Sequence, residues 1–159
     1  MISIKRLGHF VLRVANVERS KRFYTELLGM HVLEQDPVHG GVFLGLGQWG
    51  NTLDLMQSSD SSAGSPHTEM SQLAGLGFHH AAFAVETQEA LREGFFTLQD
   101  HGVPILAALD HQSQQSVYFS DPDGNILEIF WERPNAVEIF RKGRSDSDKP
   151  LIFERSKAR

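Results

Sequence analysis

The chain has 159 residues, a formal net charge of −5 and no cysteine, and 40% of its residues are hydrophobic. This length predicts one compact unit with a substantial core, and the lack of cysteine excludes disulfides, thiolate metal sites and a cysteine nucleophile. The mild acidity gives no basis for binding nucleic acid or an anionic membrane surface, and no apolar run is long enough to span a bilayer. Because the first residues lack a signal-peptide cleavage pattern, we expect a cytoplasmic protein.

The first half of the chain predicts a strand, a helix and three further strands. The run HFVLRV, His9 to Val14, is strand-like, and a helix follows between Asn16, a suitable N-cap, and Gly29, a suitable C-terminal stop. Three short apolar runs come next: HVLEQ, GVFLGLG and NTLDLMQ. Residues 1–57 therefore form a first module, and the polar residues 58–75 are predicted to be a linker.

The second half repeats this order of elements. HAAFAV matches HFVLRV, a helix is predicted from an N-cap at Thr87 to Gly102, and VPILAAL, SVYFSD and NILEIFWE are the three later strands. Residues 76–134 form a second module, and residues 135–159 are predicted to be a flexible tail in which Leu151, Ile152 and Phe153 dock back. The fold class is α+β, with two paired βαβββ modules.

The repeat decides between two adjacent histidines. Successive side chains of a strand point to opposite faces, so His79 and His80 cannot both enter one site. Aligning HAAFAV with HFVLRV equates His80 with His9. We therefore expect His80 to face the site, and His79 to point away or to support His80 from behind.

Each module also carries a carboxylate within its last apolar strand, Asp54 in the first and Glu128 in the second. A buried carboxylate is unfavourable unless it is paired or bound to a metal. Taken alone, His9 fits an ordinary strand histidine, Asp54 fits a solvent-facing edge strand, and Glu128 fits an ion pair with Arg133 or Arg13. Their recurrence at matched places instead predicts a divalent metal held by His9, Asp54, His80 and Glu128, with Fe2+, Mn2+, Zn2+, Ni2+ and Co2+ all suited to such ligands.

The run DPDGNILEIFWERP, Asp121 to Pro134, resembles the vicinal oxygen chelate superfamily of glyoxalases, extradiol dioxygenases and drug-resistance proteins. The resemblance covers nearly all of residues 5 to 134. It implies that the paired modules curl into a half-barrel around a metal, with His9, His80 and Glu128 as ligands. It also implies a small-molecule substrate and is consistent with a homodimer.

Within that superfamily the second module is most similar to small catechol-2,3-dioxygenase-like members. By that resemblance Tyr118 is an active-site tyrosine, and His111 is a loop histidine that hydrogen-bonds substrate or oxygen; a half-buried tyrosine and an exposed histidine are the plain alternatives. Two positions depart from the dioxygenase pattern. Asn51 replaces a catalytic histidine and cannot act as an acid or base near neutral pH. Asp54 replaces a small apolar residue of the dioxygenases, whereas glyoxalase-like members carry a carboxylate at this position as a fourth metal ligand.

Three functions follow from this resemblance. The first is a dioxygenase-like enzyme using Fe2+ or Mn2+ on a catechol or another substrate with adjacent oxygens. The second is a glyoxalase- or epimerase-like lyase or isomerase with a four-ligand site and Ni2+, Co2+ or Zn2+, in which Asp54 or Glu128 moves a proton. The third is a drug-binding resistance protein without catalysis, which the retained ligand set disfavours.

Overall fold

The chain divides into two compact units, Met1–Ser65 and Pro66–Arg159. This computed structural model describes residues 1–36, 38, 40–48, 50–59, 66–70, 77–143 and 148–155. The boundary between the units falls inside the predicted linker 58–75, most of which lies outside the described residues. The first unit contains the predicted module 1–57, and the second contains the predicted module 76–134 together with the predicted tail.

The first unit is a four-stranded sheet in the order β1-β4-β3-β2. Strand β1 runs parallel to β4, and the other neighbouring strands are antiparallel. Its elements in chain order are β1 Phe10–Val14, α1 Val17–Arg22, a π-helical turn Phe23–Leu27, β2 His31–Gln35, β3 Val42–Gly45 and β4 Asn51–Gln57.

The helix of the first unit begins and ends where the sequence predicts, but its course differs. The side chain of Asn16 accepts a hydrogen bond of 2.9 Å from the amide of Arg19, and Gly29 adopts the left-handed φ of 66° after the last turn. The expected single α-helix continues as a π-helical turn from Phe23. In this wider turn the buried rings of Phe23 and Tyr24 meet edge to face, with centroids 5.3 Å apart.

The second unit repeats the same topology with one added strand. Its sheet has the order β5-β8-β7-β6-β9, and β5 runs parallel to β8. The elements are β5 Ala81–Ala84, α2 Gln88–Asp100, β6 Ile105–Asp110, β7 Gln114–Ser120, β8 Ile126–Glu132, α3 Ala136–Lys142 and β9 Lys149–Pro150. The predicted α+β repeat of βαβββ modules is confirmed.

Strand register makes the two carboxylates equivalent. Asp54 pairs with Val11 of β1, and Glu128 pairs with Ala82 of β5. His9 and His80 stand two residues before Val11 and Ala82, each just ahead of its strand. The structure therefore places His80, rather than His79, at the position of His9 in the repeat, as the sequence alignment predicts.

The segment predicted to be a flexible tail contains regular structure in its described part. Helix α3 follows β8, and β9 pairs antiparallel with β6. Further on, the Leu151 amide donates to the Ala108 carbonyl at 2.9 Å, and the Phe153 ring lies 4.9 Å from that of Phe95. The tail thus joins the second unit through β9, Leu151 and Phe153, whereas Ile152, also expected to dock, is exposed.

Across the described part of the chain, the helices are too short or too polar for a membrane crossing.

Candidate metal centre

The first unit contributes a histidine and a buried carboxylate. His9 lies just before β1, and its Nε2 is 3.5 Å from Oδ2 of Asp54. Asp54 sits on β4, an interior strand, and only 6% of it is exposed, so the alternative of a solvent-facing edge strand is wrong. Its Oδ1 is buried without a hydrogen-bond partner among the described residues. Burying a carboxylate oxygen without a partner costs free energy, and a bound cation would remove that cost.

The second unit contributes the equivalent pair in a more enclosed setting. Nε2 of His80 lies 3.0 Å from Oε2 of Glu128, which is 2% exposed. The other oxygen, Oε1, accepts a hydrogen bond of 2.9 Å from the Gln114 amide. Arg133, an alternative partner for Glu128, instead donates to Asp110 at 2.5 Å.

The two adjacent histidines have different roles in this geometry. His80 turns Nε2 toward Glu128, and its Nδ1 lies 2.7 Å from Nδ1 of His79. When Nδ1 of His80 carries the proton and donates it to Nδ1 of His79, the His80 ring is oriented and its Nε2 keeps a lone pair for a metal. His79 contacts the ring nitrogen of His80 that is not the one near Glu128, in line with the alternative that His79 supports His80 from behind.

Tyr118 and His111 lie beside the same pair. Tyr118 faces Glu128 across the β7–β8 ladder, its ring centroid is 5.4 Å from that of His80, and its hydroxyl is 3.1 Å from Nε2 of His111. Burial, followed by the negative charge of Glu128, raises the pKa of Tyr118 to about 12. Both side chains are buried, at 8% and 7% exposure, so the alternative of an exposed His111 is wrong.

Gln114 was not predicted as a site residue, although the sequence carries a signal for it. Gln114, Ser116 and Tyr118 alternate along β7 and therefore share one face, and Gln114 donates to both Ser116 and Glu128. A polar residue at every second position of a buried strand indicates a polar site on that face. The contact of His111 with Asp148, 2.9 Å from Nδ1 to Oδ1, was also missed because Asp148 lies in the tail.

A protein-family profile decides the affiliation of the chain. The profile described as "Glyoxalase/Bleomycin resistance protein/Dioxygenase superfamily" matches residues 6–129, most of the chain. The chain belongs to this superfamily. The match spans both βαβββ modules and ends just after Glu128, so α3 and β9 lie beyond it.

Relatives within the superfamily carry different activities in their names. Biphenyl-2,3-diol 1,2-dioxygenase 3 of Rhodococcus globerulus is 29% identical over 78% of this chain and 62% of its own length. Metallothiol transferase FosB of Staphylococcus saprophyticus is 29% identical over 79% of this chain and 76% of its own length. The chain thus spans less than two thirds of that dioxygenase. The relatives are named as enzymes, without a shared reaction.

Solved structures support the fold. The fosfomycin resistance protein FosX of Listeria monocytogenes, in a monoclinic form at pH 6.5, superposes with a TM-score of 0.67 at 16% identity, covering 87% of this chain and 99% of FosX. At this identity the likeness extends to the fold alone.

The donor atoms present fit the divalent ion that the superfamily affiliation implies. Imidazole nitrogen and carboxylate oxygen are ligands for first-row divalent metals. Two such donors at about 2.1 Å from one ion lie about 3.0 Å apart at a right angle and about 3.4 Å apart at the tetrahedral angle. The separations of 3.0 Å in the His80–Glu128 pair and 3.5 Å in the His9–Asp54 pair match these values. Within each unit, no larger group of His, Asp and Glu ligands occurs among the described residues.

Asn51, which replaces the histidine of the dioxygenase pattern, begins β4 at a half-buried position. Its Oδ1 is buried and makes no hydrogen bond to the described residues. An amide with a free carbonyl oxygen is a hydrogen-bond acceptor, so Asn51 can orient a donor group but cannot transfer a proton.

Proposed function

We propose that this protein is a divalent-metal-dependent enzyme that resembles the ring-cleaving dioxygenases and acts on a small substrate with two adjacent oxygens, such as a catechol. The cluster of His80, Glu128, Tyr118 and His111 in the second unit carries the proposal. It combines two donors of the kind that bind metals with two buried polar side chains that can orient substrate oxygens. The name of the Rhodococcus relative, which specifies a diol with neighbouring hydroxyls, supports the same substrate class.

In this proposal the ligands are His9, His80 and Glu128, and Asp54 is the candidate fourth. The support is the repeated histidine–carboxylate pair of each unit and its equivalent strand register. Fe2+ and Mn2+ are favoured for a dioxygenase reaction, while Ni2+, Co2+ and Zn2+ suit the same donors. A bound ion would lower the pKa of substrate hydroxyls and polarise the substrate.

The side chains around the pair then have defined tasks. The Tyr118 phenol keeps its proton at neutral pH, because its pKa is raised to about 12 by burial and by Glu128. It can donate that proton to Nε2 of His111, 3.1 Å away, so its oxygen is left to accept a hydrogen bond from a substrate hydroxyl. Gln114 keeps Oε1 of Glu128 occupied, which leaves Oε2 as the oxygen facing His80.

Oxygen uptake tests the proposal. The full chain is loaded anaerobically with Fe2+ or Mn2+ and mixed with catechol or biphenyl-2,3-diol in an oxygen electrode, with Glu128→Ala as the ligand-deficient control. We expect substrate-dependent oxygen consumption and the yellow absorbance of a ring-opened product in the wild type only. Absence of consumption with metal-loaded wild type across a panel of substituted catechols would reject the dioxygenase assignment.

One observation favours a second candidate, a glyoxalase- or epimerase-like lyase or isomerase. The unpartnered Oδ1 of buried Asp54 is the atom that a four-ligand site requires. In such an enzyme a carboxylate at the site moves a proton of the substrate. Titration of Asp54→Ala with Fe2+, Mn2+, Ni2+ and Zn2+ distinguishes the candidates, with Glu34→Ala on the exposed strand β2 as the matched carboxylate control.

If Asp54 is a ligand, its removal weakens metal binding by at least the roughly 10–100-fold that loss of a supporting partner causes. Unchanged affinity in Asp54→Ala leaves the three-ligand, dioxygenase-like site. A large loss in Asp54→Ala without any in Glu34→Ala supports the second candidate.

A further inference from the structure

The loop between β6 and β7 holds His111 in an unusual backbone turn. Gln112 has a φ of 65°, and the amide of Ser113 donates to the His111 carbonyl at 2.8 Å across it. A three-residue hydrogen-bonded turn with positive φ is the rare γ-turn form, and it is unfavourable for a residue with a side chain. Strained backbone of this kind persists only where neighbouring contacts enforce it.

Contacts on both sides of the turn enforce it. The Gln112 amide donates to Oδ1 of Asp110 at 2.9 Å, and Oδ2 of Asp110 accepts from Arg133 and from Gln115. The His111 amide donates to the carbonyl of Gln114 at 2.8 Å, which closes the loop. The backbone that carries His111 is therefore fixed independently of the imidazole ring.

The ring itself meets the C-terminal segment. Because Lys149 of β9 pairs with Asp110 of β6, Asp148 is delivered next to His111. Oδ1 of Asp148 lies 2.9 Å from Nδ1 of His111, whose Nε2 faces the Tyr118 hydroxyl at 3.1 Å. Nδ1 is buried and makes no hydrogen bond of normal angle within the described structure, so this carboxylate is the acceptor within reach.

We propose that Asp148 is a positioning residue that keeps a proton on Nδ1 of His111 and so directs Nε2 toward Tyr118 and the metal site. The hydrogen bond made by one ring nitrogen of a histidine sets the protonation of the other. A carboxylate at Nδ1 does this more firmly than water, because the bond is charge-assisted. Asp148 is 43% exposed, so its side chain has room to rotate into full alignment.

This role gives the C-terminal segment a function. Asp148 lies beyond residues 6–129, the part of the chain that the superfamily profile matches. The chain therefore adds its own support to the loop histidine through β9. The effect on turnover rests on the proposed function, whereas the protonation of His111 does not.

Side-chain nitrogen NMR of the full-length, 15N-labelled chain tests the proposal. Spectra are taken near neutral pH with Zn2+ as a diamagnetic metal, and the His111 signals are assigned with His111→Gln. We expect a protonated Nδ1 in the wild type, a shift toward an unprotonated Nδ1 in Asp148→Ala, and restoration in Asp148→Glu. The matched control is Glu138→Gln, which removes an exposed tail carboxylate that pairs with Lys142.

Two further readouts separate positioning from a general structural effect. We expect Asp148→Ala to lower kcat by about tenfold, with a smaller change in KM, and to leave Zn2+ affinity unchanged, because it acts through a side chain outside the ligand set. An identical Nδ1 signal in wild type and Asp148→Ala would overturn the proposal. If the signal depends on Asp148 but no variant turns over a catechol, the positioning role stands and the dioxygenase assignment fails.

Discussion

The two modules share strand order and register, but they differ in what surrounds the carboxylate of the last strand. Glu128 contacts His80 and Gln114 and faces Tyr118 across the ladder. Asp54 contacts His9 and retains an oxygen without a partner in the described structure. At the position across the ladder where Glu128 has Tyr118, Asp54 has Phe43.

The two units therefore share the backbone positions of the histidine and the carboxylate but differ in the side chains around them. The backbone ladder places one histidine and one carboxylate at equivalent positions in each unit. The polar side chains that can act on a substrate are concentrated in the second unit. Under the proposed function, the first unit would supply metal ligands, and the second unit would supply both metal ligands and substrate contacts.

The largest expected effect tests whether the two histidines are equivalent. We expect His9→Ala and His80→Ala each to weaken Zn2+ or Mn2+ binding by more than about a hundredfold, because each removes a ligand rather than a support. Calorimetric or competition titration measures the loss. His101→Ala, at the exposed end of α2, is the control and should bind like the wild type. A strong effect from only one of the two would break the equivalence.

The next effect tests whether the substrate contacts are confined to the second unit. We expect Tyr118→Phe to lower kcat on the order of a hundredfold with metal affinity retained, since only the hydroxyl is removed. Phe43→Leu changes the equivalent position in the first unit and should leave kcat within about twofold, as it carries no hydrogen-bonding group. Steady-state kinetics of the metal-loaded variants supplies both numbers. Equal losses in the two variants would contradict a division of tasks.

A smaller effect concerns the support of His80. We expect His79→Ala to weaken metal binding by about tenfold, because the Nδ1–Nδ1 contact that orients the His80 ring is lost. His79→Gln retains a polar side chain and should recover part of the loss. Titration under the conditions used for His80→Ala gives the ratio. An affinity as low as that of His80→Ala would instead make His79 a ligand.

The smallest effect concerns the loop that carries His111. Burial alone would raise the pKa of Asp110, but hydrogen bonds from Gln115 and the Gln112 amide, with the charge of Arg133, lower it overall. A lowered pKa stabilises the fold above the unfolded value of about 3.9, and this stabilisation is lost as the pH falls through the folded value. We therefore expect Asp110→Asn to reduce the free energy of unfolding by about 1 kcal/mol at neutral pH.

The same substitution should make a smaller difference near pH 3, below the unfolded value of about 3.9, because part of this stabilisation is lost there. Urea unfolding of both proteins at the two pH values measures this. If Asp110→Asn lowers the free energy of unfolding equally at both pH values, the loss comes from packing rather than from the charge of Asp110. Glu132→Gln, at the end of β8, is a suitable carboxylate control.

Local chemistry made most of the fold predictable. The caps at Asn16 and Thr87 and the left-handed Gly29 are set by residues within one turn of the helix end, so the sequence displays them. Alternation along β1 likewise predicted that Leu12 and Val14 are buried. The π-helical turn at Phe23 was not predictable. A single widened turn is too short to change the spacing of apolar residues by which a helix is recognised in the sequence.

The repeat and the family resemblance made part of the candidate site predictable, the resemblance supplying Tyr118 and His111. His9, Asp54, His80 and Glu128 are found by aligning the halves. The contact of Asp148 with His111 has no counterpart in the first unit, and it depends on how β9 pairs with β6. A pairing of strands far apart in sequence leaves no local periodicity, so the alignment of modules cannot reveal it.

The parallel pairing of the first and last strands of each module has a consequence for folding. Phe10 of β1 pairs with Leu53 of β4, so the sheet of the first unit is closed by a contact across about forty residues of chain. This closure becomes available during synthesis as soon as β4 has left the ribosome, while the second module is still being made. We therefore expect the two sheets to close one after the other, each closure bringing a histidine to its carboxylate.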